Sequence, residues 1–338
     1  MKNSVHFDET NIALLEALRA NPRAPWEAIG QAVGVDGVTA RRRWNRIVER
    51  RHAWTTVSTG NWPGQVTATV TAQCAAGSAL SVARELAESP FVVTIETIIG
   101  RHDLRCTVVV DDMDTLTRLL SRDLLAIPGL ISIESQLVDR VFAQGSNWRP
   151  GALTAVAERV LHVDSADRRA HSDRLHAIDP ALVELLVDDV RAPAIDLAAK
   201  LGVSETVVRR RISSLVRSGL LVLRVEAPPH LVGLPYGATI WFSLPARALH
   251  SAATFLAGIA ETRWTATVLA GAANLMSVFW LRDFGQLQSI EQAVEERYPD
   301  ARIVDRAMRL QPVKRMMHVL DDEGLTVRTI PSMPRWSK

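Results

Sequence analysis

The sequence predicts an α+β protein of two winged helix-turn-helix domains and two ferredoxin-like βαββαβ sandwich domains. Two observations carry that prediction. Residues 7–53 align without a gap on residues 175–221, with 13 of the 47 positions identical, the mark of a repeated module. Each copy is then followed by the same succession of alternating strand patterns and 3.6-residue helical patterns. At 338 residues and 47% hydrophobic content the chain has room for several cores. Its net charge of +2 leaves any nucleic-acid footprint to local clusters.

In the first copy Asn11 is expected to cap a helix with Ile12, Leu15 and Leu18 at helical spacing. In the second, Asp179 and Pro180 give the same start signal. Pro25 and Pro193 open a shorter helix, and Gly34-Val35 and Gly202-Val203 turn the chain, because glycine tolerates the left-handed geometry beyond a helix end. Asp36 and Ser204 then cap a third helix. This order is that of a helix-turn-helix.

The third helix carries the recognition chemistry. Ala40, Trp44 and Ile47, and Val208, Ile212 and Leu215, recur at i, i+4, i+7 and set its buried face. Arg42 and Arg210 then point away from that face, flanked by Arg41 and Arg43, and by Arg209 and Arg211. Residues 36–51 hold six arginines against Asp36 and Glu49, and residues 204–217 hold four against Glu205. Arginine suits phosphates and guanine edges because its planar fork bonds them bidentately. The expected DNA-contacting set is Thr39, Arg41, Arg42, Arg43 and Arg46 in the first copy. In the second it is Ser204, Glu205, Thr206, Arg209, Arg210 and Arg211. Gly37 and Arg51 predict a less well formed third helix in copy one than in copy two, which ends at Gly219.

After the first copy, Val66–Gln73 alternates as a strand, Ser78–Glu88 is helical, and Phe91–Ile99 and Arg105–Val110 are strands about the turn at Gly100–Leu104. Asp112–Leu125 is a helix, and Pro128-Gly129 leads into a last strand, Leu130–Val138. The second copy repeats this less closely, as strand Ala238–Leu244, helix Ala246–Ala260, strands Trp264–Leu269 and Met276–Leu281, helix Phe284–Arg297 and strand Ala301–Leu310. The expected domains are a helix-turn-helix at 1–58, a sandwich at 59–143 and a connection at 144–174 with a short helix near 153–160. A second helix-turn-helix follows at 175–228, a second sandwich at 229–320 and a tail at 321–338.

The helix-turn-helix, the Gly-x-x-Asp-Leu turn (Gly100, Asp103, Leu104) and the Pro128-Gly129 strand resemble the Lrp/AsnC family of bacterial transcription regulators. The opening Phe7-Asp8-x-x-Asn11 and Leu175-x-x-x-Asp179 look like that family's signature. The resemblance implies two tandem members in one chain, with sandwiches of the RAM/AsnC type. It further implies double-stranded DNA as partner, an amino-acid-like effector, and homo-oligomers assembled through the sandwiches. Carried over to this sequence, the effector site is Gly100, His102, Asp103, Leu104 and Ser135. The second copy has Gly271-Ala272-Ala273-Asn274-Leu275 instead, and Asn274 cannot pair an ammonium by charge. A pseudo-dimer of this kind presents two helices to half-sites about one helical turn apart.

Other classes are disfavoured. Cys74 and Cys106 read as reduced thiols of a cytoplasmic protein. No stretch is long and apolar enough to span a membrane. No metal-ligand spacing, nucleophile elbow or phosphate loop is present, so no cofactor, metal or catalytic residue is expected. The competing reading is an enzyme. Siroheme decarboxylases resemble the same family and act on an anionic tetrapyrrole, which would draw on Arg101, His102, Asn274 and Trp280. The chain has only two tyrosines, Tyr236 and Tyr298, which counts against that reading.

Overall fold

The computed structural model describes residues 7–60, 64–146, 148, 151, 153, 154, 157, 160, 161 and 176–331. Most of the connection, including most of its expected helix, lies outside the described residues. The chain does not divide at the repeat. Residues 7–64 and 151–227 gather into one compact unit, and residues 65–150 and 228–332 into another.

The first unit holds both helix-turn-helices. In copy one these are α1 (Glu9–Ala20), α2 (Trp26–Val33) and α3 (Gly37–Glu49). In copy two they are α6 (Asp179–Asp188), α7 (Ala194–Leu201) and α8 (Glu205–Arg217). Gly34 and Gly202 both end their helices at positive φ, 77° and 66°, where a Cβ would be strained. The cap of α1 is Asp8 rather than Asn11. Its carboxylate accepts the Asn11 N–H at 2.7 Å. In copy two Asp179 is the first helical residue rather than a cap.

Each helix-turn-helix is followed by one strand, β1 (Trp54–Thr59) or β6 (Leu221–Glu226), and the two pair antiparallel with each other. What the sequence suggested as two separate wings is one ribbon shared between the copies. Arg23 donates to the carbonyls of Val190 and Ala192, and Arg191 donates to those of Pro22 and Ala24. These four carbonyls occupy matching places in the repeat, so the contact is a reciprocal clasp about a local two-fold.

The second unit is one sheet with helices. Its first half comprises β2 (Val66–Cys74), α4 (Ala79–Ala87), β3 (Val92–Ile99), β4 (Leu104–Val110), α5 (Met113–Arg118, continuing as a π turn to Asp123) and β5 (Leu130–Ala143). Its second comprises β7 (Tyr236–Ser243), α9 (Ala246–Ala257), β8 (Thr262–Leu269), β9 (Leu275–Leu281), α10 (Gly285–Arg297) and β10 (Arg302–Arg315). The hairpin β11 (His318–Leu320) and β12 (Thr326–Thr329) follows, its first strand ending the expected second sandwich and its second lying in the expected tail. The strands run β10-β3-β4-β2-β5-β8-β9-β7, and β7 returns to β10, closing an eight-stranded barrel.

The closure explains the two long strands. β5 pairs with β2 through Leu130–Leu137 and with β8 through Leu137–Ala143. β10 pairs with β7 through Arg302–Met308 and with β3 through Met308–Arg315. Each runs five residues beyond its expected end, and the added residues cross to the other half. Two cores pack helices on the sheet: Val70, Leu86, Ile95, Leu104 and Cys106 in one half, and Ile240, Phe242, Leu256, Phe279 and Ile290 in the other. A third apolar cluster (Ile98, Trp241, Val268, Met276, Val278) joins both halves on the sheet face turned away from the helices. Cys106 is a buried free thiol that burial pushes up to about 12.

Candidate nucleic-acid interface

Both third helices are 13 residues long. The fraying expected of copy one is absent, because Asp36 accepts both the backbone N–H and the hydroxyl of Thr39, each at 2.7 Å. That double bond offsets the poor propensity of Gly37. Ser204 caps copy two through the Val207 N–H at a longer 3.4 Å. Arg51 takes φ 59°, the left-handed conformation that Gly219 holds at 73° in copy two.

The buried faces are as read from the sequence: Ala40, Trp44 and Ile47, and Val208, Ile212 and Leu215. Arg41, Arg42 and Arg46 are exposed in copy one, and Arg209 and Arg210 in copy two. The third arginine of each triad is not part of that surface. Arg211 is 3% exposed and holds the buried Asp179 through both its Nε, at 2.9 Å, and Nη2, at 2.7 Å. Arg43 reaches back to Asp8 at 2.9 Å and Asn11 at 3.1 Å. Both arginines tie helix three to the start of helix one, and burial takes Arg211 out of the expected DNA-contacting set. The cause is angular: they stand next to the buried stripe, within reach of a neighbouring carboxylate.

The copies then differ in free charge. Glu205 takes Arg209 in an i, i+4 ion pair, and Ser214, which is buried, stands where copy one has the exposed Arg46. Thr206 and Ser204 are exposed, while Thr39 and Glu205 are half-buried. Copy one therefore presents the stronger cationic face.

The expected effector residues lie on and beside the β3–β4 turn. The Asp103 carboxylate accepts the Cys74 N–H at 2.8 Å, and its backbone N–H donates to Ala72. In the other half, Asn274 accepts the Leu244 N–H at 3.0 Å and donates to the Leu244 carbonyl at 2.7 Å. Asp103 and Asn274 thus do one job, holding the turn to the end of the neighbouring strand. A Cβ on Gly100 would lie 2.8 Å from the Arg306 carbonyl oxygen, so that glycine serves the approach of β10. Leu104 is a core residue. His102 is buried with its Nε2 3.6 Å from Glu134, and Ser135 is exposed on β5.

A cluster that the sequence reading missed lies on the sheet face away from the helices. Glu96 on β3 pairs across to Arg105 on β4, which donates to its carboxylate. Arg315 and Arg309 of β10 stand 3.5 and 4.0 Å from the same carboxylate. Trp280 is stacked by Arg263, Arg315 and Arg309 at 4.5, 5.0 and 5.8 Å. Burial alone would raise Glu96, but the three arginines outweigh it and hold the carboxyl at about 2. Burial, together with Arg315 and Arg105 and against the pull of Glu96, lowers Arg309 to about 10. The available signal was a lone charge in the otherwise apolar or β-branched stretches VVTIETII and LRCTVVV. Among the described residues no group of His, Cys, Asp and Glu has the geometry to hold a metal, and no helix is long and apolar enough to cross a membrane.

Comparison with known proteins fits these two units. The AsnC-type helix-turn-helix domain matches at residues 7–47 and 175–216, and the Lrp/AsnC ligand binding domain at residues 67–147. An uncharacterised HTH-type transcriptional regulator of Pyrococcus horikoshii is 26% identical over 140 residues, 40% of this chain and 89% of that protein. A counterpart in Pyrococcus abyssi is 25% identical over the same share. Among solved structures, the siroheme decarboxylase NirDL has a similar fold over 91% of this chain and 93% of its own, with a TM-score of 0.59 at 14% identity.

Proposed function

We propose, from a chain that carries the helix-turn-helix and ligand-binding domains of the Lrp/AsnC family, a DNA-binding transcription regulator of two fused units. The observation that carries this reading is the pair of capped third helices with Arg41, Arg42 and Arg46, and Arg209 and Arg210, turned outward. The β1–β6 ribbon and the Arg23–Arg191 clasp hold the two helix-turn-helices as a dimer would, within one chain. Duplex DNA is the partner, with a small-molecule effector sensed by the barrel unit. Because the N-terminal turns of the two helices differ, the operator need not be a palindrome.

The test is retention of the DNA upstream of the chain's own reading frame, measured over a range of salt. Replacing Arg41, Arg42 and Arg46 by alanine is expected to lower the log–log salt slope by about one for each lost phosphate contact. Replacing Arg209 and Arg210 is expected to have a smaller effect. Retention equal to wild type in both variants would end the regulator reading. The second reading, a siroheme-decarboxylase-like enzyme, draws support from the full-length likeness in fold and from the buried arginines. A purified protein that carries tetrapyrrole absorbance and retains no DNA would replace the first reading with it.

A further inference from the structure

We infer that the barrel holds one small dianion on Arg105, Arg309 and Arg315, and that this ion is the class of effector the regulator senses. The effector role rests on the function proposed above; the site does not. Three guanidinium groups, with side chains 6–7% exposed, face one carboxylate, Glu96. These four groups therefore sum to two positive charges, with the buried Arg263 a further cation on the same Trp280 ring, in a place where water solvates them poorly, which is costly unless a counter-charge arrives. Arg105 Nε and both terminal nitrogens of Arg315 are buried and make no hydrogen bond. Planar forks with free N–H groups bind carboxylate or phosphate oxygens in pairs. A dianion would balance Glu96 and the three arginines around it.

The surroundings are shaped for these side chains. Gly237 on β7 leaves its face bare where a Cβ would stand 2.8 Å from Arg309 Cζ. Trp280, 2% exposed, offers a ring to the guanidinium groups without adding a formal charge. The other half of the barrel has no counterpart. By strand register, Ala266, Met276 and Val138 stand where Glu96, Arg105 and Arg309 stand here, so the cluster is not repeated there. A cluster this deeply buried suits a compact ion better than an extended ligand.

The test is thermal unfolding and calorimetry of the full chain with phosphate, sulfate, malonate and succinate, against chloride and acetate at matched ionic strength. A dianion at ten to a hundred times its Kd is expected to raise Tm by a few degrees over the monoanions. Arg315→Gln is expected to weaken that binding about tenfold or more, while Arg118→Ala, at an exposed arginine of α5, leaves it unchanged. If Arg315→Gln fails to fold, Arg105→Lys, which keeps the charge and loses the fork, is read in its place. Dianions no better than chloride would show that water satisfies these nitrogens and would overturn the site. Equal binding by the variant would overturn it too. DNA retention is scored in the same samples. Anion binding that leaves retention unchanged removes the effector role alone, and a protein that binds the anion but never DNA counts against the regulator.

Discussion

The two units are built from the same duplication and have kept it differently. In the helix-turn-helix unit the repeat persists down to hydrogen bonds: Arg23 and Arg191 reach matching carbonyls across the ribbon. In the barrel the backbone is equally regular, β3 and β8 sharing one burial pattern along their length. Its interior chemistry, however, is one-sided. Where β10 of the second half crosses onto β3 and β4 of the first, the sheet presents Glu96, Arg105 and Arg309; where β5 crosses onto β8 and β9, the matching positions are Ala266, Met276 and Val138. Strand pairing is satisfied by any side chain, so a closed sheet tolerates divergence inside as long as charges meet charges. A clasp made of side chains on carbonyls does not.

The largest expected effect separates the two copies of the clamp between helix three and helix one. Arg211→Ala leaves Asp179 buried and unpaired and should cost about 3–5 kcal/mol. Arg43→Ala opens a pair whose members are 33% and 55% exposed, and should cost under about 1 kcal/mol. Urea denaturation of both variants decides this, and equal losses would mean that the copies are more alike than their burial shows.

Acid titration probes the one-sided interior. Glu96 is held at about 2 against an ordinary 4.5, a depressed carboxyl pKa. Its contribution is therefore full above pH about 4.5 and is lost as pH falls toward 2, amounting to about 3 kcal/mol. Glu96→Gln should remove that part of the acid dependence, seen as a flatter stability curve between those values. An unchanged curve would place the acid-sensitive group elsewhere.

The clasp itself is the next measure. Arg23→Ala and Arg191→Ala each remove charge-assisted bonds to carbonyls, worth about 1.5–3 kcal/mol in sum. Arg191 also lies 3.9 Å over the Trp26 ring, which should add about 0.5–1 kcal/mol to its loss. Thermal unfolding of the two variants side by side would reveal that gap, and its absence would make the stacking inconsequential.

The smallest effect is expected at the turn. Asp103→Asn installs the residue that already does this work at Asn274, so stability should change by less than about 0.5 kcal/mol. Calorimetry with an amino-acid panel should find wild type and variant alike. A ligand lost on this substitution would return the carboxylate to effector binding.

Much of this was legible in the sequence. The offset repeat, the glycine turns and the i, i+4, i+7 stripes located all six helices of the helix-turn-helices, because those signals are local. Strand patterning located the eight barrel strands for the same reason. What local pattern cannot hold is which edges meet. β5 and β10 were therefore read five residues short, at the point where they leave their own half, and β1 and β6 were not read as strands, though each domain was expected to carry a wing of its own. The triads were read as uniform because spacing gives the direction of a side chain but not the carboxylate waiting there. Only coordinates put Asp179 against Arg211. The identical Arg-Ala-Pro triplets were visible from the start, yet their role lies between copies.

The crossed pairings set a condition on how the chain reaches this state. β1 meets a strand about 165 residues downstream, and β3 waits for β10, more than 200 residues later. A chain emerging from the ribosome therefore completes its first half with bare strand edges, the surfaces that capture other chains. Joining both halves in one polypeptide turns that encounter into an internal ring closure, whose entropy cost rises slowly with length. Its effective concentration does not depend on how many copies the cell makes. Mature assembly is thereby decoupled from expression level, while the interval before the second half appears is when exchange with a neighbouring chain competes.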